Sequence, residues 1–274
     1  MLGALVGDIA GSVHEFANQR SKDFPFFAEG SDFTDDSVLT LAVAEALLDD
    51  RPPARALLDW GRRYPGRGYG GRFARWLEEG DLAPYGSYGN GAAMRVSPAA
   101  LLAGTLEEAL DLARAVTVVT HDHPEGLKGA LATAHAIFLA REGRGPGEIR
   151  QAIEMRYGYD LDRSVDAIRP GYSFDETCQR TVPEAIVCAL EARGFEDAIR
   201  NAISLGGDAD TLAAIAGPIA EARFGIPEDL ARGALERVSA PMRRLLGRAY
   251  ARSGWIHAAH GEWSEETKGL LAPD

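Results

Sequence analysis

Apolar positions recur along this chain at spacings of three and four residues, the period of an α-helix, and almost nowhere with the alternation of a strand. The clearest stripe runs from Pro124 to Arg141, where Leu127, Leu131, Ala134, Phe138 and Leu139 share a face and Pro124 suits a first helical position. Thr105 and Glu108 form a capping box for a helix running through Val116, and Ser97-Pro98 opens a short helix over Ala99 to Ala103. Further helices are predicted at about 2–14, 36–50, 53–64, 71–79, 147–157, 183–193, 196–204, 210–224, 228–238 and 241–253. The one β-branched cluster, Val116 to Thr120, continues a helical phase. The expected fold is all-α, a compact orthogonal bundle of about a dozen helices. With no internal repeat, low-complexity stretch or long linker, residues 1–274 are expected to form one domain.

Composition narrows the function. With 46% hydrophobic and 26% charged residues, the chain is globular rather than disordered or fibrous. Its 41 acidic against 29 basic residues give a formal charge of -12, which disfavours nucleic acid and means that an anionic ligand needs local help. Cys178 and Cys188 are too few for a disulfide framework, which points to a reducing compartment. The apolar start lacks a positive region and is interrupted at Asp8, so it does not read as a signal peptide, and no window approaches a membrane span. A cytoplasmic chain with no membrane partner is expected, and with no interface signal, a monomer.

The chemistry gathers at two helix mouths, Thr34-Asp35-Asp36 and Gly206-Gly207-Asp208-Ala209-Asp210-Thr211. Threonine and aspartate are favoured helix caps, and first-turn carboxylates gain from the helix dipole, so either segment alone reads as capping. Together they hold four carboxylates, two hydroxyls and no Lys or Arg. Facing each other, they would call for one or two hard cations such as Mg²⁺, Mn²⁺ or Ca²⁺, which take oxygen-only donors. Glu15, near the end of the first predicted helix, is either a further carboxylate for such a centre or a solvated glutamate. The glycine-rich loop Gly86-Ser87-Tyr88-Gly89-Asn90-Gly91 is either a tight connection or a backbone cradle for phosphate at a helix N-terminus. His121 and His123 lie at a helix break, where each either caps or faces a cleft, and Tyr69, Tyr85 and Tyr88 either stack on a nucleoside or cover the rim of a core.

Taken in order, these segments resemble the ADP-ribosylglycohydrolase family, the ADP-ribosyl-acceptor hydrolases. The resemblance runs from Gly3 to Gly11 with Glu15, through Thr34 to Asp36, Gly86 to Arg95 and Thr120-His121, to Gly206 to Thr211. It implies an all-helical domain with two Mg²⁺ or Mn²⁺ ions at the bottom of a cleft. The implied ligands are Thr34, Asp35, Asp36, Asp208, Asp210 and Thr211, with Glu15 beside them as ligand or acid/base and Asp35 or Asp36 as the fallback. The Gly86 to Gly91 loop is implied to hold a diphosphate, Tyr88 to contact the adenosine part, and His121 to contact the distal ribose, near the loop Tyr69-Gly70-Gly71. Some arginine-directed relatives carry an acidic residue in that last loop where this chain has only Gly70 and Gly71, which leans the reading toward O-linked ADP-ribose. The implied activity is hydrolysis of the bond between C1 of the distal ribose and a protein side chain, with ADP-ribose and ADP-ribosylated protein as partners. The competing readings are a non-catalytic ADP-ribose binding module and a two-metal phosphoesterase.

Overall fold

The computed structural model describes residues 1–272. In chain order its helices are α1 (Leu2–Gly11), α2 (Asp35–Leu48), α3 (Pro53–Arg63), α4 (Gly71–Glu79), α5 (Gly91–Met94), α6 (Ser97–Leu102), α7 (Leu106–Thr117) and α8 (Pro124–Arg141). They continue with α9 (Pro146–Tyr157), α10 (Val165–Ile168), α11 (Cys178–Glu191), α12 (Phe195–Ile203), α13 (Ala209–Phe224), α14 (Glu228–Arg237), α15 (Ala240–Ser253) and α16 (Glu265–Gly269). Among the described residues the only β-type pairing given is an isolated bridge between Gly89 and Thr177, so the fold is all-α as the periodicity predicts. Twelve of these helices have nine residues or more, and the rest are single turns or little longer.

Two boundaries and one cap differ from expectation. The first helix stops at Gly11 rather than near residue 14, so Glu15 stands beyond it in the connection to α2. Helix α11 begins at Cys178, not at Pro183, because its first turn is tied to the glycine-rich loop by the Cys178 N–H donating to the Tyr88 carbonyl at 3.0 Å. Pro183 therefore sits inside the helix, where the missing N–H costs it an intrahelical bond. At α7, Thr105 accepts from Glu108 N as a capping box requires, but the Glu108 carboxylate reaches the Gly104 N–H instead of Thr105.

The centre of the molecule is the pair α1 and α13. All ten residues of α1 are buried, as is α13 from Ala209 to Ala222, so both are covered all round by neighbouring helices. They approach backbone to backbone. A methyl group added at Gly3 would lie 2.4 Å from the Gly217 carbonyl oxygen, one at Gly7 2.2 Å from that of Ala213, and one at Gly11 2.4 Å from Asp210 Cα. Glycine every fourth residue on α1 thus lets the two axes close, and the same contact draws the C-terminal end of α1 against the mouth of α13. Apolar side chains of α2, α8, α11 and α12 complete one continuous core around this pair.

An alanine at residue 7 would gain roughly 0.5–1 kcal/mol of helix propensity but must push two packed backbones apart, which typically costs about 1–3 kcal/mol. Gly7→Ala is therefore expected to destabilise the protein on balance, seen as a lower denaturation midpoint; an unchanged or higher midpoint would show that the α1–α13 contact is not close-packed.

Candidate active site

The mouth of α2 is capped by two groups from different parts of the chain. Thr34 Oγ1 accepts from Asp36 N, the local cap that the sequence suggests. The second cap is Asp8, buried in the middle of α1. Its carboxylate accepts from Thr34 N at 3.0 Å, Thr34 Oγ1 at 2.7 Å, Ser37 N at 3.1 Å and the Ser37 hydroxyl. With the orphan N–H groups of α2 satisfied from behind, the carboxylates of Asp35 and Asp36 are released from capping and face the cleft.

The mouth of α13 is set by a turn at Gly206 and Gly207, both with φ of +72°, a left-handed conformation that glycine adopts without strain. A strap from the α1–α2 connection holds this turn. Asn18 accepts from Gly207 N at 2.6 Å, and the Arg20 guanidinium donates to the carbonyls of Leu205, Arg169 and Tyr172 at 2.5–2.8 Å. Asp208 becomes the residue before the helix, Asp210 lies in its first turn with Oδ1 accepting from Thr211 N, and Asn90 Nδ2 donates to Asp208 Oδ2 at 2.6 Å.

The two mouths meet in a cleft of about 550 Å³, on whose wall lie Thr34, Asp35, Asp36, Asp208, Asp210 and Thr211 together with Glu15. Carboxylate oxygens of Glu15, Asp208 and Asp210 lie within 4.8 Å of one another, and so do those of Asp8, Asp36 and Asp210. Thr211 Oγ1 is 3.4 Å from Asp36 Oδ2, bridging the two helices, while Asp36 Oδ1 is buried with no hydrogen-bond partner. Among the described residues no ion pair neutralises any of these carboxylates. Such a cluster of oxygen donors can hold a metal ion. Asp8 fits that role poorly. Its oxygens are occupied by the α2 mouth and it does not line the cleft, so it supports the donors rather than adding to them. Asp35 is in neither group of three.

Without a cation the cluster resists ionisation. Burial and the neighbouring carboxylates Asp208, Glu176 and Asp8 raise Glu15 to about 7, and burial raises Asp8 to about 6 against the hydrogen bonds from Ser37 and Thr34. Asp35, Asp36 and Asp210 are all pushed well above the usual carboxylate range, by burial first and then by neighbouring carboxylates, Asp8 foremost for Asp35 and Asp36 and Asp208 for Asp210.

The opposite wall carries the glycine-rich loop. Ser87, Tyr88, Gly89, Asn90 and Gly91 line the cleft, whereas Gly86 does not; its N–H donates to Asp122 Oδ1 at 2.7 Å. Gly70 and Gly71 line it too, and a methyl group on either would meet nothing. Tyr69 turns away: its hydroxyl donates to the Tyr64 carbonyl and its ring packs on Phe73. Tyr85 is on the wall, with Arg72 over its ring. His121 reaches the cleft, while His123 caps α8 by accepting from Glu125 N.

Sequence reasoning missed four supports: Asp8, Asn18, Arg20 and the buried Arg95, which also lines the cleft. An aspartate inside an apolar helix was the one available signal, for Asp8. Asn18 and Arg20 sit in an irregular polar connection that carries none.

The helices thus bring two oxygen-rich mouths together in an acidic cleft, opposite a glycine-rich loop. A profile of the ADP-ribosylglycohydrolase family matches residues 1–262, and the chain belongs to that family. It is 26% identical to human (Homo sapiens) ADP-ribosylhydrolase ARH3, over 83% of this chain and 85% of the relative. It is 28% identical to the ADP-ribosyl-[dinitrogen reductase] glycohydrolase of Rhodospirillum rubrum, over 90% and 91%. A solved structure described as an ADP-ribosylglycohydrolase-related protein complex superposes with a TM-score of 0.68 at 26% identity, covering 92% of this chain and 97% of that one. The chain is thus an enzyme of the hydrolase class, and no helix among the described residues is long and apolar enough to cross a membrane.

The raised carboxyls give a pH signature. Unfolded, they titrate near pH 4; folded, Asp8 and Glu15 hold their protons to about 6 and about 7. Their contribution to stability is complete below the unfolded value and is lost as pH rises through 6 to 7. Metal-free protein is expected to lose thermal stability from pH 5 to pH 8 relative to Asp210→Asn, and Mg²⁺ or Mn²⁺ to restore it at pH 8 far more than at pH 5. A difference between the two proteins that ignores pH would contradict this electrostatic account.

Proposed function

We propose that this chain removes ADP-ribose from modified protein side chains by hydrolysing the bond at C1 of the distal ribose, in a single domain over 1–274 that acts as a monomer. The observation that carries the reading is the meeting of the α2 and α13 mouths in one cleft opposite the glycine-rich loop. The orphaned Asp36 Oδ1 and the oxygen-only donor set fit hard divalent ions, two in number, Mg²⁺ or Mn²⁺, held by Thr34, Asp35, Asp36, Asp208, Asp210 and Thr211. When bound, such ions would orient vicinal ribose hydroxyls and polarise a water.

The protein's own groups do the rest. Glu15, whose carboxylate lies close to those of Asp208 and Asp210, is placed to deliver a proton to the leaving atom on C1, or to take one from the attacking water. Asp35 and Asp36 are the alternative proton carriers. Tyr88, 44% exposed beside His123, offers its face to the adenosine part, and Ser87 to Gly91 line the path for the diphosphate. Gly70 and Gly71 themselves supply no acid to pair with a guanidinium, and this supports O-linked rather than arginine-linked ADP-ribose as substrate.

Asp210→Asn is expected to lower turnover by at least about 10²-fold, and Glu15→Gln to slow cleavage while leaving ADP-ribose affinity in place. The test is release of ADP-ribose from Arg-, Ser- and O-acetyl-linked substrates in parallel, with Mg²⁺ or Mn²⁺, followed by product analysis. Free ADP-ribose supports the scheme. AMP with ribose phosphate would make the protein a phosphoesterase, inactivity on all three with retained ADP-ribose binding a binding module, and a fully active Asp210→Asn would end the metal-site reading.

A further inference from the structure

The glycine-rich loop has little left to offer an anion. Ser87 N donates to the Thr120 carbonyl, Gly89 N to Ser87 Oγ and Asn90 N to the Glu176 carbonyl, which leaves Tyr88 and Gly91 as the two loop N–H groups without an intramolecular acceptor among the described residues. Helix α5, which follows, is four residues long, too short for a substantial dipole. The cleft also faces the acidic cluster. A diphosphate therefore needs a positive charge from elsewhere.

That charge is present behind the loop. Arg95, 1% exposed, lines the cleft, and no carboxylate forms an ion pair with it among the described residues, Asp35 acting on it only at longer range; its Nε has no hydrogen-bond partner among them. Burial lowers it only to about 10, so it stays cationic. A buried guanidinium without a counter-ion is costly unless a ligand supplies one. Its NH2 group donates to Thr120 Oγ1 at 2.5 Å and lies 3.5 Å from His121 Nδ1. Guanidinium can only donate, so Thr120 accepts from it and has its own proton free for His121 Nδ1, 2.8 Å away. Burial and the nearby Arg95 cation keep His121 neutral. With Nδ1 accepting, its single ring proton lies on Nε2, the nitrogen facing the loop: a methyl group on Gly91 would sit 3.4 Å from it and one on Gly89 3.7 Å.

We propose that Arg95 and Thr120 are positioning residues which lock His121 as an Nε2–H donor toward the cleft, and that Arg95 is the buried counter-charge for the ligand's diphosphate. The second half rests on the functional reading above; the first does not. Side-chain ¹⁵N spectra of the ligand-free protein are expected to show His121 protonated on Nε2, Thr120→Val to lose that preference, and Thr120→Ser to restore it. ADP-ribose affinity by calorimetry is expected to fall about tenfold or more in Thr120→Val and in Arg95→Gln, the loss expected for a hydrogen bond to a charged group. Arg95→Gln is also expected to leave the affinity for adenosine, which carries no phosphate, unchanged, whereas Arg95→Lys, which keeps the charge, retains most of the affinity for ADP-ribose. Thr120→Val with an unchanged tautomer overturns the relay, and Arg95→Gln that weakens adenosine as much as ADP-ribose overturns the counter-charge. A wild-type protein that shows the Nε2–H tautomer but does not bind ADP-ribose sinks the functional reading and leaves the relay standing.

Discussion

Everything in this molecule hangs on how closely α1 and α13 can approach. Gly3, Gly7 and Gly11 remove the side chains that would keep the two backbones apart, and the resulting contact fixes where Asp8 and the end of α1 lie relative to Asp210. Because both helices are buried throughout, neither can shift without disturbing the surrounding core, whose packing tolerates little change in volume. The cleft is thus built against the buried centre of the fold.

Rigidity is needed because the site is electrostatically strained. Five carboxyl groups, those of Asp8, Glu15, Asp35, Asp36 and Asp210, are held where ionisation is disfavoured, and among the described residues no basic side chain forms an ion pair with them. The fold divides the work between them. Asp8 satisfies the backbone of α2, which leaves Asp35 and Asp36 free of capping duty, and Asn90 and the Asn18–Arg20 strap steady Asp208 and the turn before it. Carboxylates oriented by such outer contacts suit a cation better than flexible ones, since less freedom is lost on binding.

The opposite wall has the opposite character. Its loop spends most of its N–H groups on its own conformation, so its positive potential comes from the buried guanidinium behind it. A cleft with hard anionic donors on one side and, on the other, a buried guanidinium that has no carboxylate ion pair among the described residues suits a ligand that carries hydroxyls at one end and phosphate in the middle.

The helical period, the oxygen-only chemistry of the two helix mouths and the order of the motifs were legible in the sequence, because periodicity, capping and donor type are decided within a turn or two of chain. The periodic runs at 53–64, 71–79 and 210–224 match α3, α4 and α13 to within a residue. Where contacts between distant segments compete with local preference, the sequence was silent or misleading. Gly11 ends α1 early and leaves Glu15 in a connection, Cys178 starts α11 five residues ahead of Pro183, and Tyr69 turns away from the cleft. Asp8 shares the cap of a helix that begins twenty-seven positions later, and the buried Arg95 is left without a carboxylate ion pair among the described residues. Tertiary structure alone decided these, since which polar group satisfies a buried backbone amide, and which charge is left without a partner, depends on the helix that happens to lie across it rather than on its neighbours in the chain.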